Sequence, residues 1–252
     1  MRSVRQKSEV SARVRTKFTR KLLAWWARAA RDLPWRKTRD PYRVLVSEFM
    51  LQQTQVSRVA EYYPRFLERF PDLESLARAR PRAVREAWDG LGYYARARNL
   101  HALAKRVTGR SVAGRGVAGD GVPTLPDDPE ELIKLPGIGP YTAGAVASFA
   151  YEKPVPAVDT NVRRVLSRVF FGDDRQRGSR ERLTRQRPIP PRRIWALATA
   201  LVPKTGKRAW KFNQAIMELG ALICVARKPR CPQCPVRPVC RTGKARRTDA
   251  QR

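Results

Sequence analysis

Cys224, Cys231, Cys234 and Cys240 fall within 17 residues, spaced C-x6-C-x2-C-x5-C, and the rest of the 252-residue chain has no cysteine. A disulfide framework spreads its cysteines through a fold, so this clustering indicates a metal site. Zinc ribbons usually carry two C-x2-C pairs, and this chain has one. All-thiolate ligation by a compact loop suits a 4Fe-4S cluster, while thiolates alone leave zinc open. Arg227, Lys228, Arg230, Arg237 and Arg241 surround the cysteines, so the same loop would present a basic patch.

Three further stretches hold groups that could do chemistry. Residues 48–56 read E-F-M-L-Q-Q-T-Q-V, with Glu48 three residues before Leu51 and the adjacent amides Gln52 and Gln53 directly after it. No rule of helix surfaces asks for two amides there, and Glu48 taken alone reads as a solvated helix acid. Residues 158–162 read V-D-T-N-V. Asp159 suits a helix N-cap, and a fixed anion at a helix start can serve chemistry as well. Residues 135–140 read L-P-G-I-G-P. Gly137 and Gly139 allow positive φ and leave no Cβ between backbone and visitor. Amides at such a turn can hold a phosphate, although an ordinary αα-hairpin would read the same way.

Charge favours the phosphate reading. Lys and Arg number 53 and Asp and Glu 22, a formal net charge of +31. That excess binds polyanions by releasing their counterions, although an Arg-rich proteome would account for part of it. No apolar run approaches the roughly 18–20 residues of a membrane span, and no apolar segment marks a secretory signal. The expectation is a soluble cytoplasmic protein of bacterial type, with nucleic acid as its partner and no membrane.

Helices must position these groups, since no segment alternates with period two. Residues 1–20 are basic and unpunctuated and are expected to form a mobile arm. The spacing of Phe18, Leu22, Leu23, Trp25, Trp26 and Ala29 predicts a helix over 18–30, ended before Pro34. Asp40-Pro41 reads as an N-cap and first turn, and helical periodicity then recurs to about residue 107. A Gly-rich loop is expected at 109–123, a helix start at Asp127-Asp128-Pro129, an exposed Arg/Pro-rich insertion at 173–193, and helices over 194–202 and 212–224. His101, the only histidine, is expected at the surface or on a phosphate.

The Gly-Pro hairpin, the Asp about twenty residues later and the cysteine spacing together resemble the helix-hairpin-helix DNA glycosylase superfamily, which includes endonuclease III. Within it, S-E-F-M-L-Q-Q-T-Q-V (47–56), G-L-G-Y-Y-A-R-A-R-N-L (90–100) and F-N-Q-A-I-M-E-L-G-A-L-I-C (212–224) are similar to the adenine DNA glycosylases of the MutY type. The similarity covers roughly residues 20–242. It implies an all-α, two-lobed fold: a six-helix barrel lobe with the hairpin over 40–155, and an iron-sulfur cluster lobe from 21–39 and 156–252. The substrate base would enter the cleft between the lobes.

The resemblance also assigns roles. A glycosylase must extrude its nucleotide from the duplex, and Gln52 or Gln53 would fill the gap while Tyr93 or Tyr94 probes the opposite base. Glu48 would be the general acid that protonates adenine N7, so that the base leaves neutral; an apolar pocket keeps such an acid protonated. Asp159 would stabilise the oxocarbenium-like sugar, with Tyr141 and Asn161 orienting the carboxylates. Bifunctional relatives carry a lysine where Tyr141 stands, so base removal without efficient strand cleavage is expected. Arg31, Leu33, Trp35, Leu51 and Glu218 lie in matching motifs, with Glu218 a candidate reader of the adenine edge. The cofactor implied is the 4Fe-4S cluster on Cys224, Cys231, Cys234 and Cys240, and the partner is double-stranded DNA with a mismatch, met by a monomer.

Two departures stand out. The usual D-G-N is D-T-N here, so Thr160 is expected to crowd a tight place near the sugar. The chain ends at Arg252, without the further domain that helps relatives recognise 8-oxoguanine, so discrimination of that partner base is expected to be weak. Tyrosine at position 141 also occurs in thymine glycosylases acting on T·G, which keeps thymine or uracil as an alternative substrate. A non-catalytic mismatch-binding module would need neither Glu48 nor Asp159.

Overall fold

The computed structural model describes residues 10–112, 123–172 and 189–243. Among these the chain is all-α, and contacts divide it into two compact units. Unit 1 comprises residues 1–30, 158–204 and 211–252; unit 2 comprises 31–157 and 205–210.

In unit 2, helix α2 (Pro41–Leu51) starts as its sequence dictates. Pro41 is pre-set for the first turn, and the Asp40 carboxylate accepts the backbone N–H groups of Tyr42 at 2.8 Å and Arg43 at 3.2 Å. Val44, Leu45, Val46, Phe49 and Met50 are all buried, so α2 is wrapped nearly all round. It packs against α3 (Val56–Arg69), α6 (Ala95–Val112) and α8 (Pro140–Phe149). Helices α4 (Leu73–Arg78) and α5 (Pro81–Ala87) cover α6, and the single turn α7 (Pro129–Leu132), capped by Asp128, leads into the hairpin before α8. Helix α8 reads almost wholly apolar and is buried from Thr142 to Phe149. At Gly144 a Cβ would lie 2.3 Å from the Pro156 carbonyl oxygen, so only glycine lets the returning chain cross there.

Unit 1 is built from α1 (Ala12–Ala29), α9 (Thr160–Leu166), α10 (Pro191–Leu201), the part of α11 (Gly206–Leu222) from Lys211 onward, and the cysteine loop. Phe18 sits edge-on to Phe170 at 5.0 Å and Phe212 at 6.4 Å, the aromatic centre of this core. Helix α9 continues directly into a π-turn at Ser167–Phe171, closed by left-handed Gly172. Glycine is again forced at 220 on α11: a Cβ there would meet the Asn161 Cβ at 2.7 Å and its carbonyl oxygen at 3.2 Å. Overpacking against backbone costs about 1–3 kcal/mol, against about 1 kcal/mol of helix propensity gained. Gly220→Ala is therefore expected to destabilise the protein by up to about 2 kcal/mol, read as a lower urea midpoint at unchanged slope. A stabilised variant would show that α9 and α11 can part freely.

Several expectations are corrected. Helix α1 begins at Ala12, inside the stretch expected as a mobile arm; Arg and Lys at 13–21 are good helix formers even without an apolar stripe. Residues 1–9 lie outside the described residues, as do 113–122 of the expected Gly-rich loop and 173–188 of the expected insertion. Helix α6 runs on to Val112, and α10 starts at Pro191. His101 is not at the surface: it is 6% exposed and packed under α4, where the backbones of Ala77 and Ala79 meet its ring. Burial, and then Lys105 on the same helix, hold its pKa below the usual histidine range. Thr160 stands exposed at the first position of α9, free to meet an approaching sugar as expected of it. No helix among the described residues is long and apolar enough to cross a membrane.

Candidate functional site

Three groups of candidate residues are each brought together within one unit. In unit 2, Glu48 lies on α2, one turn before its end, and is 4% exposed. The hydroxyl of Tyr141, at the second position of α8, donates to the Glu48 carboxylate at 2.6 Å. Both positions follow from helix starts written in the sequence, Asp40-Pro41 for α2 and Gly139-Pro140 for α8. A phenol so placed orients the carboxylate and lacks the amine that a Schiff base needs.

In unit 1, Asp159 caps α9. One carboxylate oxygen accepts the Val162 N–H at 2.6 Å, and the other accepts the Asn161 side-chain amide at 2.8 Å. Burial nonetheless holds the Asp159 pKa above the ordinary aspartate range; the bonds from Val162 and Asn161 and the charge of Arg164 oppose that rise. The network continues inward. Arg164 donates to the Asn161 side-chain Oδ1 at 2.6 Å, to the Gly220 backbone carbonyl at 2.8 Å, and through Nε to the Cys224 backbone carbonyl at 2.7 Å. Asp159 is thus joined to the cysteine loop through two side chains.

The four cysteines, with Arg168, Ile223, Val236 and Gly243, line one cavity. Arg168 projects from the π-turn and donates to the carbonyls of Val225 at 2.7 Å and Ala226 at 2.9 Å, while its own carbonyl accepts from Thr242 at 2.9 Å. The Gly243 N–H points at the Cys240 sulfur at 3.2 Å. As bare thiols, Cys234 and Cys240 are poorly placed to ionise. Burial, then the neighbouring cysteines, push Cys234 up to about 12, and burial pushes Cys240 up as well. A bound cation inverts that balance. Among the described residues no three His, Cys, Asp or Glu side chains are grouped to hold one metal ion. Four thiol side chains lining one cavity are a donor set that suits zinc or an iron-sulfur cluster.

The turns that follow α2 and precede α6 sort the open pairs. Gln53 is exposed with φ of 57°, whereas Gln52 is half-buried as the C-cap of α2. Tyr93 is 60% exposed with φ of 46°, whereas the Tyr94 hydroxyl is bound to Asp89 in its own turn. Left-handed backbone at non-glycine residues is uncommon, and Glu152 and Lys228 are the other described examples. In the hairpin, Gly137 has φ of 77°, and a Cβ there would meet Asn99 at 2.7 Å and Phe49 at 3.0 Å. A Cβ at Gly139 would meet nothing within 4 Å, so the start of α8 is open to an approaching anion. Leu51 ends α2 and is half-buried. Arg31 is half-buried, and its carbonyl accepts from Arg36 at 3.0 Å. Leu33 and Trp35 are core residues at 8% and 7% exposure, with Trp35 edge-on to Tyr63 at 5.7 Å. Glu218 is 1% exposed on α11. Sequence reasoning missed Arg96, Arg164, Arg168 and Gly220, although Arg96 and Gly220 stand inside two of the quoted motifs.

Residues 46–191, more than half of the chain, match the HhH-GPD superfamily of base excision DNA repair proteins. The chain belongs to this superfamily. Among curated HhH-GPD relatives, the adenine DNA glycosylase of Mycolicibacterium smegmatis is 43% identical over 216 residues, 85% of this chain and 66% of the relative. The adenine DNA glycosylase of Rattus norvegicus is 42% identical over 235 residues, 90% of this chain and 42% of that protein. The chain thus spans about two thirds or less of the length of these relatives. A thermostable thymine-DNA glycosylase superposes with a TM-score of 0.76 at 29% identity, covering 92% of this chain and 98% of that one. An endonuclease III trapped on DNA superposes with a TM-score of 0.73 at 23% identity, covering 95% and 100%, and supports the fold alone. The all-α glycosylase fold expected from the motifs is therefore the fold observed.

Proposed function

We propose that this chain is a DNA glycosylase that hydrolyses the bond between adenine and deoxyribose where adenine is mispaired with guanine or 8-oxoguanine. The observation that carries the proposal is the buried Glu48 held by the Tyr141 hydroxyl at 2.6 Å. Relatives named adenine DNA glycosylase at 42–43% identity support the choice of base. In this reading Gln53 fills the gap left by the extruded base and Tyr93 meets the opposite strand, because these are the exposed, left-handed members of their pairs. The open amides at the start of α8 hold a phosphate. Glu48 gives a proton to N7, and the neutral base departs. Asp159, ionised, stabilises the positive sugar. Tyr141 offers no amine, so the strand is left uncut. The four cysteines would hold a 4Fe-4S cluster in a loop whose backbone Arg168 and Arg164 also grip.

The thymine-DNA glycosylase likeness supports a second reading, release of thymine from T·G. A panel of duplexes with one mismatch each, scored for released base, separates the two. Adenine opposite guanine is expected to be released at least tenfold faster than thymine opposite guanine, about 1.4 kcal/mol in barrier. Faster thymine release would overturn the choice of base.

The state of Asp159 makes a prediction about pH. Its folded pKa is raised, so the catalytic anion is lost on acidification at a higher pH than for an ordinary aspartate. The acid limb of the single-turnover rate should therefore lie above the usual carboxylate range of about 4. Asn161→Ala removes a bond that lowers this pKa, and the limb should move to still higher pH. A limb that stays put or moves down would take Asp159 out of the rate expression.

A further inference from the structure

Arg96 is 7% exposed, yet its guanidinium forms no ion pair among the described residues. It spends its donors on five backbone carbonyls from two separate turns. One terminal nitrogen reaches Phe49 at 2.9 Å, Met50 at 2.7 Å and Gln52 at 2.5 Å. The other reaches Leu91 at 2.9 Å and Gly92 at 3.0 Å. The first three oxygens lie at the α2 C-terminus, where the last carbonyls have no intrahelical partner; that of Gln52 also accepts from the Thr54 hydroxyl at 3.4 Å. The last two belong to the turn in which Gly90, Gly92 and Tyr93 all have positive φ. The guanidinium also lies 5.4 Å from the Trp88 ring centre and 5.6 Å from that of Tyr93, and the Trp88 indole donates to the Gly92 carbonyl at 3.2 Å. A buried charge compensated by carbonyl dipoles and ring faces, with no counter-ion among the described residues, is a costly device for stability alone. What it uniquely achieves is a rigid bond between the turn carrying Gln53 and the turn carrying Tyr93.

We propose that Arg96 is a positioning residue that locks the Gln53 and Tyr93 turns into one wedge, so that filling the gap and probing the opposite strand occur as a single step of base extrusion. The proposal rests on the glycosylase reading above and deepens it. Arg96 touches no reacting atom; it acts through Gln53 and Tyr93. Lysine cannot replace it, because one ammonium lacks the planar fork that spans both turns.

The test is a coupling experiment read by fluorescence of 2-aminopurine placed as the target base opposite guanine. Gln53→Ala and Tyr93→Ala are made singly and together, in wild type and in Arg96→Lys. In wild type each single change is expected to slow extrusion nearly as much as the pair, because either breaks one device. In Arg96→Lys the extrusion rate should already be down by about 100-fold, the effect of an ångström-scale misplacement. In that background the two alanine changes should have become additive, while binding to matched duplex stays within about twofold of wild type. Adenine in single-stranded DNA needs no extrusion, and its release should fall less than tenfold in Arg96→Lys. Additive effects in wild type overturn the proposal even if Arg96→Lys fails to fold. So does an equal loss on single-stranded and duplex substrate, which would mark Arg96 as a purely structural residue. If wild type shows coupled extrusion yet releases no adenine from any duplex, the glycosylase reading fails and the wedge stands.

Discussion

Glu48→Gln is expected to slow adenine release by about 10²–10⁴-fold, the usual contribution of a general acid, with mismatch binding unchanged. The substitution keeps length and hydrogen-bonding capacity. The Tyr141 hydroxyl that now donates to the carboxylate at 2.6 Å can donate equally to the amide oxygen. Only the transferable proton is lost, so binding and chemistry should separate cleanly in single-turnover kinetics at saturating enzyme. The complementary change is made in the substrate. 7-Deaza-adenine keeps the shape of adenine and lacks the N7 acceptor, so it should bind and resist cleavage in wild-type protein. Near-normal excision by Glu48→Gln, or fast cleavage of 7-deaza-adenine, would refute proton donation by Glu48.

The second large effect concerns the cysteines. The purified protein should be brown, with about four irons and four sulfides per chain. Cys231→Ala should lose most of both and lower the melting temperature by roughly 4–8 °C, equivalent to about 2 kcal/mol at this size. Limited proteolysis should then open residues 225–239, since the loop loses the body around which Cys224, Cys231, Cys234 and Cys240 are arranged. A colourless protein with one zinc per chain would overturn the cluster. None of these readouts depends on excision.

The parts of the molecule written in local chemistry were legible in the sequence. Asp40 before Pro41, Asp128 before Pro129 and Asp159 before Thr160 each announce a helix start, and each carboxylate caps one. The cysteine spacing pointed to a metal site, and the four cysteines do line one cavity. The misread residues are those whose side chains look alike in different surroundings. In a chain with 53 Lys and Arg, nothing in residue type separates Arg96, Arg164 and Arg168 from a solvated arginine. Their phase does. Arg164 stands beside Val165 and three residues after Asn161, and both Arg164 and Arg168 lie on the buried side of α9 and its π-turn. His101 was legible by the same route. It follows Ala97 by four residues and precedes Ala104 by three, in step with the buried face of α6. Periodicity was applied to apolar residues alone, and a buried cation on an apolar stripe escaped it. Gly220 was unreadable for another reason: the need for glycine there is imposed by Asn161, some sixty residues away in sequence and touching only in the fold.

Arg168 holds Val225 and Ala226 by their carbonyl oxygens, and both Arg164 and Arg168 reach the carbonyl of Cys224. Every residue type carries such an oxygen, so these contacts place no demand on which side chains stand at 225 and 226. The instructions for the shape of that loop are thus stored outside it, on the turn of another helix. A lineage could rewrite the side chains of Val225 and Ala226 without redesigning the scaffold, while a single change at Arg168 would be felt at three successive residues of the loop.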